Sequence, residues 1–279
     1  MPTAPPPDLI PALAARAAGG TVLLGFDFPI GLPGPYAHRA GIAAFPQWLA
    51  ALGDEAWDRF RTPAASAGEI GAGAPYYPRR PGGASQAALA RAHGVAAYAD
   101  LLRRCDRATT GRPAACCMFW TLGPKQCGRA ALAGWHEVLR PALRADGDVA
   151  IWPYAGALGH LLATRRCVVA ETYPAEFYGE LAPRRRFSKR RQSDRRELAQ
   201  GLLAAADRAG LRLAAELAAL IQDGFGGGRE GENAFDSVVG LIGMLLVLRG
   251  RRPADPPDEP AVRRVEGWML GLDPLTVRS

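Results

Sequence analysis

The sequence has few of the features that mark a secreted, membrane or zinc-binding protein. It contains five cysteines and no CxxC pair. An odd number of thiols in a chain without a signal-like start predicts reduced, buried cysteines rather than a disulfide framework or a zinc site. No uninterrupted apolar run approaches about 18 residues, which argues against a membrane span. The first 20 residues lack the basic start and long apolar stretch of a secretory signal. These absences predict a cytoplasmic protein without a membrane partner.

Lysine is also scarce, since only Lys125 and Lys189 occur, yet the chain has a formal net charge of +7. The excess is concentrated between Arg184 and Arg196, where eight basic side chains accompany one acid. A concentrated basic patch favours a polyanion partner, because contacts to phosphates release counterions. A nucleic-acid-binding surface and a merely solvated, arginine-rich segment are both open interpretations. The residues predicted to contact phosphate are Lys125, Ser188, Lys189, Arg190, Arg191 and Arg195.

The 279 residues, 48% of them hydrophobic, fit one compact domain with a large core. Short apolar runs predict strands at residues 21–26, 149–152 and 167–171. Strands that are apolar on both faces and alternate with helices predict an α/β fold with a covered, mainly parallel sheet. Residues from about 34 to 110 are rich in Pro, Gly and aromatic residues, and we interpret them as a partly helical insertion. The main helical patterns cover residues 8–18, 86–108, 128–144, 155–164, 192–208, 211–223 and 232–249.

Acidic residues follow two of the predicted strands and recur on the last long helix. Asp27 and Glu171 each end an apolar strand, where α/β sheets place ligands. Glu232 and Asp236 lie four residues apart, on a helix face that continues with two glycines and could pack closely. Clustered carboxylates repel one another unless a divalent cation or a shared proton compensates, and all-oxygen ligands favour Mg²⁺ or Mn²⁺. The alternative is that each acid is a cap, a turn residue or an exposed charge.

Several segments together resemble a known group. The principal ones are GFDFPIGLP (25–33), AETYPAEFY (170–178), the stretch with Ser188-Lys189 and Arg195-Arg196, and ENAFDSVVGLIGML (232–245). IWPY (151–154) and VEGWMLG (265–271) are supporting pieces. Over roughly residues 20–272, the chain resembles the predicted RNase H-like nucleases of the family called domain of unknown function 429. That resemblance implies a five-stranded mixed sheet flanked by helices, with acidic residues at its centre.

The resemblance also implies roles for individual residues. Asp27, Glu171 and Asp236 match catalytic acids that hold a metal ion, Mg²⁺ or Mn²⁺, and Glu232 matches a further ligand. Relatives begin with a strand that bears an acid, whereas this chain begins with a Pro-rich segment and a helix. We therefore expect an RNase H-like fold that lacks the usual first acid-bearing strand. The loss of strands would expose a sheet edge and favour a homodimer.

These observations predict a single RNase H-like α/β domain over residues 1–279, with the insertion at about 34–110. The predicted function is metal-dependent hydrolysis of phosphodiester bonds in nucleic acid. One alternative is a non-catalytic nucleic-acid-binding or scaffold protein that keeps the fold but lacks the full acidic site. A third possibility is phosphotransfer on a small substrate, because a fold alone does not fix a function.

Overall fold

A computed structural model describes residues 9–17, 19–79, 85–122, 127–145, 148–182 and 187–278. The chain divides into two compact units. The first unit contains Met1–Glu171, Pro256–Trp268 and Pro274–Ser279, and the second contains Thr172–Asp255 and Met269–Asp273. The single domain predicted over residues 1–279 stays a prediction.

The first unit contains a three-stranded parallel sheet with the strand order β1-β3-β2. The strands are β1 Val22–Phe26, β2 Val149–Ile151 and β3 Cys167–Glu171. All five residues of β3 are buried, as expected for a central strand that is apolar on both faces. The predicted strands, the α/β class and the parallel sheet are confirmed. Among the described residues the sheet has three strands, where the resemblance implies five.

The helices of the first unit are α1 Leu9–Arg16, α2 Gly34–Arg39, α3 Phe45–Ala51, α4 Asp54–Arg61, α5 Gln86–Ala92, α6 Cys127–Gly134, α7 Arg140–Arg144 and α8 Leu158–Thr164. Shorter turns of 3₁₀ helix cover Ala67–Glu69, Tyr98–Leu101, Arg104–Asp106 and Pro274–Thr276, and π-helical turns cover Trp135–Leu139 and Val262–Glu266. The helix predicted over 86–108 ends early because Gly94, just after α5, adopts a left-handed φ of 61°. Two 3₁₀ turns follow it.

The segment interpreted as an insertion supplies much of the core of the first unit. Phe45, Trp57 and Phe60 from this segment are each at most 2% exposed. Trp135 packs against Phe45 with ring centroids 4.9 Å apart and donates its indole N–H to the carbonyl of Pro29 at 2.7 Å. The aromatic residues of the segment are therefore packing residues that hold the loop after β1 in place.

The second unit is helical. Its helices are α9 Tyr178–Leu181, α10 Gln192–Glu197, α11 Ala199–Arg208, α12 Ala215–Gln222 and α13 Gly228–Leu248, and a 3₁₀ turn covers Pro174–Phe177. Phe177 and Phe235 are fully buried in its core, together with Leu202 and Ile242. The predicted helix over 232–249 is confirmed, with a start four residues earlier.

Within the described part of the chain, one helix has the length and composition of a membrane span, namely α13. Of its apolar window, 56% is buried inside the protein, and a core helix of a soluble protein passes the same test. The finding is therefore weak, and the expectation of no membrane partner stays a prediction.

The cysteines correct one prediction. Cys105, Cys117 and Cys167 are free and buried, as expected. Cys116 and Cys127, however, form a disulfide with Cα atoms 6.5 Å apart. The start of α6 lies close to the preceding segment because Gly128 there has no side chain, and an added Cβ would lie 1.9 Å from the carbonyl oxygen of Met118. This close approach brings the sulfur atoms of Cys116 and Cys127 together. The prediction that all five cysteines are reduced is therefore wrong for this pair, because a separation of 11 residues in sequence does not show that the two are close in space.

Candidate functional site

Glu171 lies at the end of β3 in the first unit and is held by an arginine. Both of its oxygens accept hydrogen bonds from Arg103, at 2.6 Å from Nη1 to Oε2 and 2.7 Å from Nη2 to Oε1. Oε2 also accepts the backbone N–H of Ile30 at 2.7 Å. A bidentate pair of this kind neutralises a carboxylate and satisfies its lone pairs. Glu171 is therefore compensated without any further cation.

Arg103 also holds a second carboxylate. Its Nε and Nη2 donate to Asp106, each at 2.9 Å, and the arginine side chain is completely buried. Burial opposes the charge of Arg103, but the two carboxylates outweigh burial, so the pKa of this guanidinium is raised well above its ordinary value. Arg103, Asp106 and Glu171 form one buried ion group, which we call the arginine triad.

Atoms that can bind a metal lie close together at the arginine triad. One atom from each of Cys105, Asp106 and Glu171 lies within 4.8 Å of the others. Burial raises the pKa of the Cys105 thiol, so this group stays protonated. The two carboxylates share one guanidinium, which balances one of their two charges and occupies the oxygens of both. The set does not fit Mg²⁺ or Mn²⁺, which need free oxygen ligands.

Asp27 comes directly after β1, one residue beyond Phe26, the sheet partner of Glu171. The fold therefore brings Asp27 and Glu171 to the same end of the sheet. Asp27 is exposed, whereas Glu171 is buried. Their position agrees with the usual place of ligands at the carboxyl ends of parallel strands. The prediction that Glu171 shares a metal ion with Asp27 is not supported, because Arg103 donates to both Glu171 oxygens.

A buried acid that the sequence analysis missed is Glu266. Its Oε1 accepts the N–H of Gly34 at 2.9 Å, and its Oε2 accepts the N–H of Arg104 at 2.7 Å. Glu266 thus caps the first turns of two helices, α2 and the 3₁₀ turn Arg104–Asp106. Burial raises the pKa of this carboxyl. The sequence feature that could have identified Glu266 is its position as the single acid in the otherwise apolar VEGWML segment.

Two of the segments that carry the family resemblance meet at their glycines. Gly31 has φ 145°, and a Cβ there would lie 2.1 Å from the carbonyl oxygen of Glu266. Gly267 has φ 70°, and a Cβ there would lie 2.3 Å from the carbonyl oxygen of Ile30. Tyr154 joins this contact by donating its hydroxyl to the same Ile30 oxygen at 2.7 Å. These motif residues therefore serve close backbone packing.

In the second unit, Asp236 and Glu232 share one lysine. The ammonium of Lys189 donates to Oδ2 of Asp236 and lies 3.4 Å from Oε1 of Glu232. Tyr178 donates its hydroxyl to the other Asp236 oxygen, Oδ1, at 2.7 Å. The side chains of Asp236, Glu232 and Lys189 are 11%, 21% and 38% exposed. Asp236 is therefore buried, but Glu232 and Lys189 keep this acid–lysine cluster partly exposed, unlike the arginine triad.

One cation contacts both carboxylates of the acid–lysine cluster. Asp236 and Glu232 lie one turn apart on α13 and present carboxylate oxygens to the same place. The cation now between them is a lysine ammonium on a flexible and partly exposed stem, which can leave more easily than a buried guanidinium. Carboxylate oxygens with room for water are the ligands that Mg²⁺ and Mn²⁺ prefer.

Arg195, by contrast, is a structural residue. It is 1% exposed, and its guanidinium donates to the carbonyl oxygens of Lys189, Gly224 and Gly226. This corrects the prediction that Arg195 contacts phosphate, because a buried guanidinium committed to three carbonyls cannot reach a ligand.

The rest of the basic run is only partly available. Arg196 pairs with Asp223 at 2.5 Å, and Arg191 pairs with Asp194 at 2.8 Å. Arg190 is exposed. Two residues of the predicted phosphate surface remain. Ser188 is half-buried and donates its backbone N–H to Asp194. Lys125 lies outside the described residues, and so do Arg184, Arg185 and Arg186 of the basic run.

Comparisons with known proteins identify no relative of this chain, so a function is inferred from its fold and its site. No family model, curated protein or solved structure matches the chain. The structure defines an α/β protein with a small parallel sheet, a buried arginine triad in one unit and a partly exposed acid–lysine cluster in the other.

Proposed function

We propose that this protein hydrolyses phosphodiester bonds in nucleic acid with Mg²⁺ or Mn²⁺, on an RNase H-like fold. The observation that carries the proposal is the acid–lysine cluster, in which Asp236 and Glu232 share the partly exposed Lys189. The family resemblance of four sequence segments supports the fold, and the parallel sheet is compatible with it.

Asp236 and Glu232 are the residues that would hold the ion. When bound, such an ion neutralises phosphate charge and lowers the pKa of water. Tyr178 keeps Asp236 oriented, because its hydroxyl bonds to Oδ1 and leaves Oδ2 for the cation side. Lys189, once displaced from the carboxylates, would bind a phosphate oxygen, and the exposed Arg190 offers a second contact.

The proposal treats the two acids of the first unit, Glu171 and Asp27, differently from Asp236 and Glu232. Glu171 is left out of the ligand set, because Arg103 donates to both of its oxygens. Asp27 stays a predicted metal ligand of the first unit by itself, because it follows β1 at the carboxyl end of the sheet.

A non-catalytic nucleic-acid-binding or scaffold protein is the second candidate, and the arginine triad favours it. The acid at the end of β3, where the resemblance implies a metal ligand, is part of a closed ion group with Arg103. A chain that kept a basic surface and lost its metal ligands would bind nucleic acid without cleaving it.

Metal titration and a cleavage assay together test the proposal. Calorimetry with Mg²⁺ and Mn²⁺ measures binding, and labelled DNA and RNA with and without EDTA measure cleavage. Asp236→Asn should abolish the heat of metal binding and lower cleavage by about 100-fold or more, because a bound ion stabilises the transition state by several kcal/mol. Glu232→Gln should weaken metal binding in the same direction.

Glu230→Gln is the matched control, because Glu230 is an exposed acid on the same helix. This variant should keep metal binding and cleavage, and melting curves should show that every variant is folded. Cleavage that persists in EDTA, or an Asp236→Asn variant as active as the wild type, contradicts the proposal. Nucleic-acid binding without metal binding and without cleavage would support the second candidate.

A further inference from the structure

Strand β1 forms one edge of the sheet. The strand order is β1-β3-β2, so β3 is central, and no other strand of the described residues pairs with the outer side of β1. Every residue of β1 is half-buried, whereas every residue of β3 is fully buried. The opposite edge, β2, is only three residues long. β1 is therefore the longer and more accessible edge.

The hydrogen-bond pattern shows which backbone groups face outward from β1. The N–H of Val22 donates to the carbonyl of Arg166 at 3.0 Å, in register with the pairing of Val22 and Cys167. Because N–H and C=O groups alternate sides along a strand, Val22, Leu24 and Phe26 face β3. The N–H and C=O groups of Leu23 and Gly25 therefore point away from the sheet.

The edge strand lacks the residue types that usually prevent pairing. Its sequence, Val-Leu-Leu-Gly-Phe, contains no charge and no proline. Natural edge strands are usually protected by lysine, proline, a bulge or short length. A five-residue apolar strand with outward backbone groups is a template for another strand.

We propose that β1 pairs antiparallel with β1 of a second copy of this chain. A two-fold axis at Leu24 places Leu23 of each copy opposite Gly25 of the other and Leu24 opposite itself. The outward groups of Leu23 and Gly25 then exchange both of their hydrogen bonds, which gives four bonds across the axis. The interface is isologous, and the two sheets join into one of six strands.

The chain's own first residues are a poorer partner for this edge. Residues 1–8 read MPTAPPPD, so four of the eight are proline. Proline has no N–H to donate and is excluded from a paired strand except at edges and ends. A second β1, by contrast, matches in length and has the outward groups in the required alternation.

Amide exchange of the wild-type chain tests the pairing directly. Hydrogen exchange resolved by residue is measured by NMR over a range of protein concentrations, with the mass followed by light scattering. When nine-tenths of the chains are dimeric, the Leu23 and Gly25 amides should exchange about tenfold more slowly than in the monomer, because exchange proceeds through the monomer. The amides of Leu24 and Phe26, which face β3, should not depend on concentration.

A charge on the edge gives a second test. Leu23→Lys should raise the dimer dissociation constant by about tenfold or more, because lysine on an edge strand opposes pairing. Leu241→Lys is the matched control, since Leu241 is a 48% exposed leucine of α13, and it should leave the dimer intact. Thermal melts check that both variants are folded.

Three results would overturn the proposal. The first is a chain that stays monomeric up to the solubility limit. The second is a dimer in which the Leu23 and Gly25 amides exchange freely, which would place the interface elsewhere. The third is a monomer in which these two amides are protected, which would show that the edge is paired within its own chain.

Discussion

Arg103 determines which chemistry is available at the end of β3. The side chain is completely buried and bonds to both Glu171 and Asp106. A divalent ion placed there would meet a positive charge that cannot leave for solvent, and the repulsion between such charges is strong in a buried site. Glu171, which the sequence pattern predicts to bind a metal ion, is therefore part of a structural ion group in the folded chain.

Asp194 stabilises the turn that presents Lys189. Its carboxylate accepts hydrogen bonds from the Arg191 guanidinium and from the N–H of Ser188, and these lower the pKa of Asp194 from 3.8 to about 2. Because the folded-state pKa lies below the unfolded value, this stabilisation is present above pH 4 and is lost as the pH falls toward 2.

We expect Asp194→Asn to lower the thermal midpoint at neutral pH. The difference between wild type and variant should stay constant above about pH 4 and close as the pH approaches 2. Circular dichroism melts across this range measure the effect, and Asp207→Asn, at an exposed aspartate of the same unit, gives the baseline. A difference that does not change with pH would show that Asp194 acts through packing instead.

At the scale of elements, the sequence predicts the three strands, but it does not predict which basic residues pair with the acids of the site. Three short apolar runs bounded by Gly, Pro or charged residues predict β1, β2 and β3, and with them the shared position of Asp27 and Glu171. The helix over 86–108 was wrong after residue 93, because a single glycine ended it and the following turns were read as helical.

The pairing partners could not be predicted because they are distant in sequence. Arg103 lies 68 residues from Glu171, and Lys189 lies 47 residues from Asp236. Charge patterns identify neighbours on one helix, but they contain no information about which loop returns to which strand. The basic run shows the same limit, since the burial of Arg195 depends on the carbonyls of a turn about 30 residues away.

Gly240 and Gly243, two of the four glycines of α13, lie on one face but have different surroundings. A Cβ at Gly243 would lie 2.3 Å from the ring of Phe177, whereas a Cβ at Gly240 would have its nearest neighbour, Thr172, at 3.5 Å. Phe177 is 1% exposed and has little room to move. Close packing of the helix is therefore required at Gly243 and not at Gly240.

This difference predicts opposite effects of the same substitution. Gly243→Ala should lower the free energy of unfolding by about 1–3 kcal/mol, because the clash with Phe177 exceeds the gain in helix propensity. Gly240→Ala should raise it by about 0.5–1 kcal/mol, because the methyl group finds ordinary contacts and the helix gains propensity. Urea denaturation measures both, and each variant is the control for the other. Equal effects would mean that the helix does not pack as described.

At the scale of the whole molecule, the number of basic residues between Arg184 and Arg196 overstates the surface offered to a polyanion. In the described part of the basic run, Arg195 is buried, and Arg191 and Arg196 are paired with aspartates. Each arginine–aspartate pair is neutral at long range, so Arg191 and Arg196 add little attraction for a polyanion. The affinity for nucleic acid should therefore depend on single exposed residues such as Arg190 more than on the total charge.

Charge reversal distinguishes a local surface from the total charge. Arg190→Glu should weaken binding of DNA or RNA and reduce the slope of log affinity against log salt by about 1, the value for one lost phosphate contact. Arg212→Glu changes the net charge by the same amount at an exposed arginine elsewhere in the second unit, and it should change the slope less. Fluorescence anisotropy at several salt concentrations measures both. If the two variants weaken binding equally, the protein attracts nucleic acid through its overall charge, and the region around the acid–lysine cluster is no special surface.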